Sequence, residues 1–232
     1  MGAVRSRLRR WHVWLGWLVG LPILFWVVSG LAMVAKPIEE VRGEHLLSEP
    51  RPVRMALPPV PPAVGGVSLA SLKLEQRAAG PRWVIGMAGG PTRLADPASG
   101  ALLPPLSAAD AVREVTARYT GTAKVQSATR TDPKQPPLEF RRPVAAWQVA
   151  MDDGTNFYVD ANSGEVVARR TSWWRFYDWM WGLHIMDLKT REDAHNPLTI
   201  GFAIAALAMA LLALVLLPLS TRWRRRKPKP RS

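Results

Sequence analysis

Two long apolar stretches lie near the ends of the chain and enclose a segment in which polar and apolar residues alternate. Residues 11–35 and 197–219 contain no formally charged side chain. At about 1.5 Å per residue, each stretch is long enough as a helix to cross a hydrocarbon core about 30 Å thick. The pattern therefore predicts two transmembrane helices. The first is too long for the apolar core of a signal peptide, so we expect an uncleaved anchor.

The segment between the two spans has the pattern of a helix followed by β-strands. Residues 107–118 begin with Ser107, a favourable N-cap, and place alanine and valine on one face of the predicted helix. Further along, β-forming residues flank an Ala-Asn-Ser-Gly sequence at 161–164. Asn and Gly tolerate the positive φ that a tight turn requires, so this sequence predicts a β-hairpin. The middle of the chain is therefore expected to be α+β.

An earlier segment repeats this strand pattern at a constant spacing of 64 residues. The sequence WVIGMAGGPTRLADPASGALL (83–103) aligns without a gap with WQVAMDDGTNFYVDANSGEVV (147–167). The aligned Trp, Met, Gly, Asp and Ser-Gly positions predict two copies of one strand–turn–strand–turn–strand meander. The first copy is expected to lack a helix, because the residues corresponding to 107–118 fall in a proline-rich connector.

The net charge of +13 comes mostly from the two ends of the chain. Eleven of the 31 basic residues lie in residues 1–10 and 220–232, each block next to an apolar span. This positive-inside pattern predicts that both termini are cytoplasmic and that residues 36–196 lie outside. The remaining chain is nearly neutral and has no basic face with interleaved aromatics, so nucleic-acid binding is not expected. Because of its two apolar spans, the protein is expected to have the lipid bilayer as its main partner.

These patterns divide the chain into seven segments, which include an aromatic stretch rich in Trp just before the second span. Such aromatic clusters are typical of the membrane interface. The predicted order is a basic tail (1–10), transmembrane helix 1 (11–35), a Pro-rich connector (36–63), the α+β domain with its repeat (64–170), the aromatic interfacial segment (171–196), transmembrane helix 2 (197–219) and a second basic tail (220–232).

The helix SAADAVREVTARYTG and the run AWQVAMDDGTNFYVDANSGEVV resemble the PepSY domain, a small α+β module of bacterial envelope proteins. The two flanking spans resemble the PepSY-associated transmembrane arrangement. The resemblance implies an extracytoplasmic α+β domain of tandem PepSY-like antiparallel meanders, anchored by two transmembrane α-helices. It also implies the bacterial inner (plasma) membrane, crossed twice.

The resemblance further implies haem b as a cofactor. Larger relatives include ferric and siderophore reductases that hold haem between helices, with a His near the start of the first helix and a Leu-His before a later one. His12 and His184 match these positions, and His195 stands just before the second span. His12 is separated from the other two by roughly 30 Å of bilayer, whereas one iron needs two nitrogens about 4 Å apart. A homodimer or a membrane partner would have to complete the site.

Structural roles compete with this haem hypothesis. His12 lies among tryptophans and suits the membrane interface, and His195 suits the start of a helix, while His45 carries no signal. The turn at residues 152–154 lacks the ligand spacing of a calcium loop. No cysteine is present, which excludes disulfides and thiolate metal sites, and no catalytic triad, phosphate loop or metalloprotease motif is found.

The sequence leaves two principal functions open. The first is a non-enzymatic extracytoplasmic binding or regulatory module whose edge strands contact a membrane or periplasmic protein. The alternative is a haem-binding redox component, with iron uptake as its setting. A purely structural membrane scaffold is a third interpretation. Residues 129–142, rich in proline and charge, are expected to form a surface loop or a long hairpin connection.

Overall fold

The computed structural model describes residues 2–66 and 68–224. It divides the chain into a helical unit, made of residues 2–35 and 177–224, and a sheet unit, Lys36–Phe176.

Two long helices, α1 (Gly2–Met33) and α5 (Pro197–Arg224), pack against each other in the helical unit. Both are long and apolar enough to cross a membrane, at Ala3–Met33 and Pro197–Pro218, and almost none of their residues are buried inside the protein. An apolar helix without protein cover is expected to face lipid rather than water. The predicted N-terminal basic tail is part of α1, because residues 2–10 contain neither proline nor an internal glycine to end the helix. Residues 225–232 of the predicted C-terminal tail lie outside the described residues.

The aromatic segment forms helix α4 (Ser172–His184) and is followed by a chain reversal. Within the helical unit, Arg191 donates to the carboxylate of Asp178 at 2.8 Å, and Trp181 donates its indole N–H to the Arg191 carbonyl at 3.1 Å. The side chain of Asn196 donates to the carbonyl of Ile185 at 2.9 Å. The charged segment between α4 and α5 therefore folds back onto α4.

The sheet unit contains two antiparallel sheets. The first contains three strands and the second four, and in each sheet the strands are neighbours in chain order. The connector contributes α2 (Ile38–Val41) and a 3-10 helix (Glu44–Leu46), and α3 (Ala108–Thr116) precedes the second sheet. The strands are β1 (Leu69–Arg77), β2 (Gly80–Met87), β3 (Arg93–Ala95), β4 (Val125–Arg130), β5 (Ala146–Met151), β6 (Asn156–Asp160) and β7 (Val166–Arg170).

The predicted tandem meanders are confirmed, and the two sheets share details that the sequence alignment does not show. The register shifts by a bulge between Leu69 and Ser71 in the first sheet, and between Val125 and Ser127 in the second. These bulges lie opposite Met87 and Met151, which are aligned in the repeat. A bulge at the same place in both copies supports descent of both sheets from one structural unit.

The aligned tryptophans also make the same hydrogen bond. Trp83 donates its indole N–H to the carbonyl of Val60, and Trp147 donates to the carbonyl of Leu106, each at 2.8 Å. Each accepting residue in turn donates its backbone N–H at 2.7 Å to the turn of its own copy. The repeat therefore extends back to Val60 and Leu106, beyond the aligned sequence.

Helix α3 covers one face of the second sheet and forms the main core. Ser107 and Asp110 make a reciprocal capping box at its start. Ala111 and Val115 are fully buried against apolar residues of the sheet, among them Val149, Met151, Phe157, Val159 and Val166.

Most of residues 129–142 form the predicted connection, which joins the antiparallel strands β4 and β5, although residues 129 and 130 end β4. The loop returns to the second sheet, where Phe140 is 2% exposed and stacks on Tyr158 with ring centroids 4.4 Å apart. The burial of Phe140 and its stacking on Tyr158 favour this folded-back arrangement of the loop. The prolines predicted the irregular backbone correctly but carried no information about which side chain is buried.

Candidate binding surface

One face of the first sheet has exposed leucines around a fully buried centre, Ile85, whereas its counterpart in the second sheet forms the main core. Residues paired across antiparallel strands point to the same face, which places Leu69, Leu72, Ile85, Arg93 and Leu102 together. We call this set the open face. Its three leucines are 42%, 39% and 43% exposed, in chain order.

Each open-face leucine has a counterpart in the covered core of the second sheet. Leu69 pairs with Met87 as Val125 pairs with Met151. Leu102 bridges to Ala95, and its counterpart 64 residues later is Val166, which is 8% exposed. The open face is therefore the apolar face of a PepSY-like sheet from which the covering helix is missing.

The connector explains why the helix is missing. In the second copy, Leu106 leads into the capped helix α3, and residues 107–124 separate it from β4. In the first copy, Val60 is followed by Pro61 and Pro62, and only residues 61–68 separate it from β1. This length leaves no room for a helix of two or more turns that also returns to the strand.

The outer edge of β1 is a second exposed feature of the same sheet. In the described part of the chain, β1 has β2 as its only strand neighbour. Leu69–Lys73 is exposed throughout, whereas the end of the strand, from Leu74 to Arg77, is partly buried. An edge strand offers unpaired backbone groups to an incoming strand.

Glu114 and Arg77 fix the buried end of β1 against the second copy. The backbone N–H of Ala78 donates to both carboxylate oxygens of Glu114 at 3.1 Å, and Arg77 donates to the carbonyl of Ser163 at 3.0 Å. Glu114 is only 8% exposed, and this burial raises the pKa of its carboxyl above the ordinary value, against the opposing effects of the Ala78 hydrogen bond and nearby arginines. These contacts anchor the turn of the β1–β2 hairpin to the second copy, whereas the start of β1 is exposed to solvent.

A polar cluster around Glu139 holds the long loop onto the second sheet. Its carboxylate accepts from Asn156 at 2.7 Å, from Tyr158 at 2.6 Å and from Arg175 at 2.7 Å. Burial alone would raise the pKa of Glu139, but these three hydrogen bonds outweigh it and hold the pKa below its usual value. Burial together with the bond to Glu139 raises the pKa of Tyr158. This cluster is fully paired and is therefore a structural element rather than a binding site.

Among the predicted haem ligands, His184 has a defined partner set within the helical unit. Its Nδ1 lies 3.1 Å from the carbonyl oxygen of Trp26 and 3.1 Å from the hydroxyl of Ser29, and its ring stacks on Trp26 at 4.7 Å. A carbonyl oxygen only accepts, so we assign the proton to Nδ1 and the lone pair to Nε2. Gly30 lies beside the ring, where an added Cβ would make an ordinary van der Waals contact with it at 3.4 Å.

His12 lies far from His184, and His195 lies in the turn before α5. His12 precedes Trp26 by 14 residues on α1, which separates it from the His184 contact by about 21 Å along the helix. His195 is exposed, and its backbone N–H donates to Asp193 at 2.8 Å in the turn before α5. Among the described residues, no group of three or more His, Asp or Glu side chains could hold a metal ion. Because His12 and His184 lie so far apart, these two residues of one chain cannot hold a haem iron together.

Fold and surface together define a class of protein: a membrane protein that carries a duplicated α+β domain between two membrane-spanning helices. The chain belongs to the PepSY-associated TM region family, whose family model matches residues 9–232. No curated protein and no solved structure is significantly similar to the chain.

Proposed function

We propose that the protein is a non-enzymatic binding or regulatory module whose first sheet contacts a protein partner. The observation that carries the proposal is the exposed part of β1, Leu69–Lys73, next to an apolar sheet face without a covering helix. An extended partner segment would add to this edge by backbone hydrogen bonds, and the side chains beside it would supply specificity.

The cellular setting proposed here is the bacterial plasma membrane, with the sheet unit outside the cytoplasm. The supporting feature is the basic sequence at the chain-terminal end of each membrane span, in residues 5–10 and 222–231. The partner is then a periplasmic segment or a membrane protein with an extended segment outside the bilayer.

The edge-strand proposal is tested with two neighbouring proline substitutions, Leu72→Pro and Lys73→Pro. Successive backbone N–H groups of a strand point to opposite edges, so one substitution breaks the pairing with β2 and the other removes a donor from the free edge. A photoreactive amino acid at Ser71 is expected to give a cross-linked partner in the native host. The proline variant that still folds should lose this product.

Two results would contradict the edge-strand proposal. The first is a cross-linked product that persists in the folded proline variant. The second is an equal yield of the same product from a photoreactive residue at Lys134, which is exposed in the loop of the second copy and serves as the matched control.

A second candidate is a haem-binding redox component that is completed by a second copy or a membrane partner. The geometry that favours it is the assigned tautomer of His184, in which the Trp26 carbonyl orients the ring and leaves Nε2 with a lone pair. Haem would supply one-electron transfer, and His184 would hold the haem in position. The visible spectrum of full-length protein produced with added haem tests this candidate. Sharp reduced bands that disappear in His184→Ala would support it, and a featureless spectrum would rule it out.

A further inference from the structure

The two ends of the sheet unit meet in a cluster of cationic and aromatic side chains. The ammonium of Lys36, the first residue of the unit, lies 5.1 Å from the ring centroid of Trp173, close to the end of the unit. The guanidinium carbon of Arg170 lies 3.9 Å from the ring centroid of Trp174, and that of Arg141 lies 6.0 Å from the same centroid. With the residue that follows Arg141, they form a set that we call the basic collar: Lys36, Arg141, Arg142, Arg170, Trp173 and Trp174.

Chain continuity places the basic collar at the level of the lipid headgroups. The uncharged part of the first candidate membrane span, residues 11–33, is about 35 Å long as a helix, so a hydrocarbon core about 30 Å thick ends close to Met33. Lys36 follows three residues later, a separation of at most about 11 Å. The headgroup layer on each side of the core is about 5–8 Å thick. Lys36 and the aromatic ring that it contacts therefore lie in this layer or at its surface, where tryptophan is enriched.

The arginines of the basic collar repel one another. Burial lowers the pKa of the Arg170 guanidinium to about 10, and the like charges of Arg142 and Arg141 act in the same direction, whereas Glu139 opposes them. The Glu139 carboxylate is also shared with Arg175. Arg142 is exposed and makes no ion pair or hydrogen bond in the described part of the chain. A further anion beside Arg142 would therefore relieve the repulsion and gain a charge-assisted hydrogen bond.

We propose that the basic collar binds the headgroup of an anionic phospholipid in the leaflet next to the sheet unit. Arg142 donates hydrogen bonds to the phosphate oxygens, because its guanidinium is exposed and has no partner in the described part of the chain. Lys36 pairs with Glu40, and Arg170 donates to two backbone carbonyls, so these two cations contribute attraction to the headgroup rather than its main hydrogen bonds. The proposal goes beyond the edge-strand function and does not rest on it, because no residue of β1 belongs to the basic collar.

The test is the modification of arginine by phenylglyoxal, a neutral reagent, in full-length protein. The protein is placed either in nanodiscs of phosphatidylcholine or in nanodiscs of an equimolar mixture of phosphatidylcholine and phosphatidylglycerol. Peptide mass spectrometry gives the rate at Arg142 and at the control residue Arg54, which is exposed in the connector. Phosphatidylglycerol should slow the modification of Arg142 about fivefold, which corresponds to about 1 kcal/mol, and leave Arg54 unchanged. Soluble glycerol phosphate, added to the phosphatidylcholine nanodiscs, should slow neither.

Three outcomes of the modification experiment would overturn the lipid proposal: equal rates at Arg142 in the two kinds of nanodisc, equal slowing of Arg54, or the same protection of Arg142 by soluble glycerol phosphate. A second measurement uses Arg142→Gln and Lys134→Gln, which each remove one exposed charge from the same loop. Native mass spectrometry of the detergent-solubilised chain should show that Arg142→Gln loses a bound phosphatidylglycerol that Lys134→Gln retains. Equal retention by the two variants would contradict the assignment of the headgroup to Arg142.

Discussion

Replacing Glu139 with alanine should destabilise the sheet unit strongly, although the residue lies in an irregular loop. The substitution removes the acceptor shared by Asn156, Tyr158 and Arg175. Tyr158 is fully buried, so its hydroxyl loses its acceptor at a site with little access to solvent. An unsatisfied buried donor costs about 1–3 kcal/mol.

The magnitude follows from how much water reaches each donor. Tyr158 should contribute most of the loss and Asn156 a smaller part, while the Arg175 side chain is 36% exposed and its pairing is discounted accordingly. We therefore expect a loss of about 3 kcal/mol in the free energy of unfolding for Glu139→Ala. Glu139→Gln keeps an acceptor for Tyr158 and should lose only about 1 kcal/mol.

Pulse proteolysis of full-length protein in nanodiscs across a urea series measures these free energies. Glu165→Gln, at an exposed position, is the control and should change stability by less than about 0.5 kcal/mol. The folded pKa of Glu139 is lowered, so its stabilising effect is present above the unfolded pKa of about 4.5 and is lost as the pH falls through the folded value. A loss below about 1 kcal/mol for Glu139→Ala at pH 7 would refute the structural role given to this cluster.

Three further predictions concern the contacts that define the repeat. The pKa of Glu114 is raised, so its pH dependence is opposite to that of Glu139: its contribution to stability is present below about pH 4.5 and is lost as the pH rises through the folded pKa. The stability of Glu114→Gln relative to wild type should therefore rise with pH. A difference that is constant with pH would contradict this. Trp83→Phe and Trp147→Phe each remove one hydrogen bond to a backbone carbonyl, so each should lower the free energy of unfolding in urea by about 1 kcal/mol. Unequal losses would show that the two contacts are not equivalent. Gly164 has φ +69° and lies close to Leu106, so Gly164→Ala should cost about 1–2 kcal/mol, whereas Gly16→Ala, with open space around it, should leave thermal stability unchanged or slightly raised.

The sequence was sufficient to predict those features that depend on local pattern. The apolar spans, the Ser107 cap and the turn at 161–164 each follow from side-chain chemistry within a few neighbouring residues. The repeat was visible because its turns and anchors need particular residue types at fixed positions. The missing helix of the first copy also followed, since Pro61 and Pro62 exclude it locally.

Contacts between distant segments could not be predicted in the same way. Glu139 lies in a loop whose proline and charge content is typical of solvent exposure, and its partners Tyr158 and Arg175 come 19 and 36 residues later. His184 was predicted to be a haem ligand, and that role stays a prediction; its partners Trp26 and Ser29 belong to a helix more than 150 residues earlier. Such partners are set by tertiary packing, and no local spacing identifies them.

The most direct test compares two cysteine variants at equivalent positions of the repeat, Leu102→Cys and Val166→Cys. These residues are 43% and 8% exposed. The reagent is a maleimide that does not cross the plasma membrane, applied to intact cells. We expect rapid labelling of Leu102→Cys and labelling of Val166→Cys only after denaturation. Equal labelling of the two would contradict the difference between the copies, and labelling of Leu102→Cys only after cell lysis would contradict the extracytoplasmic placement of the domain.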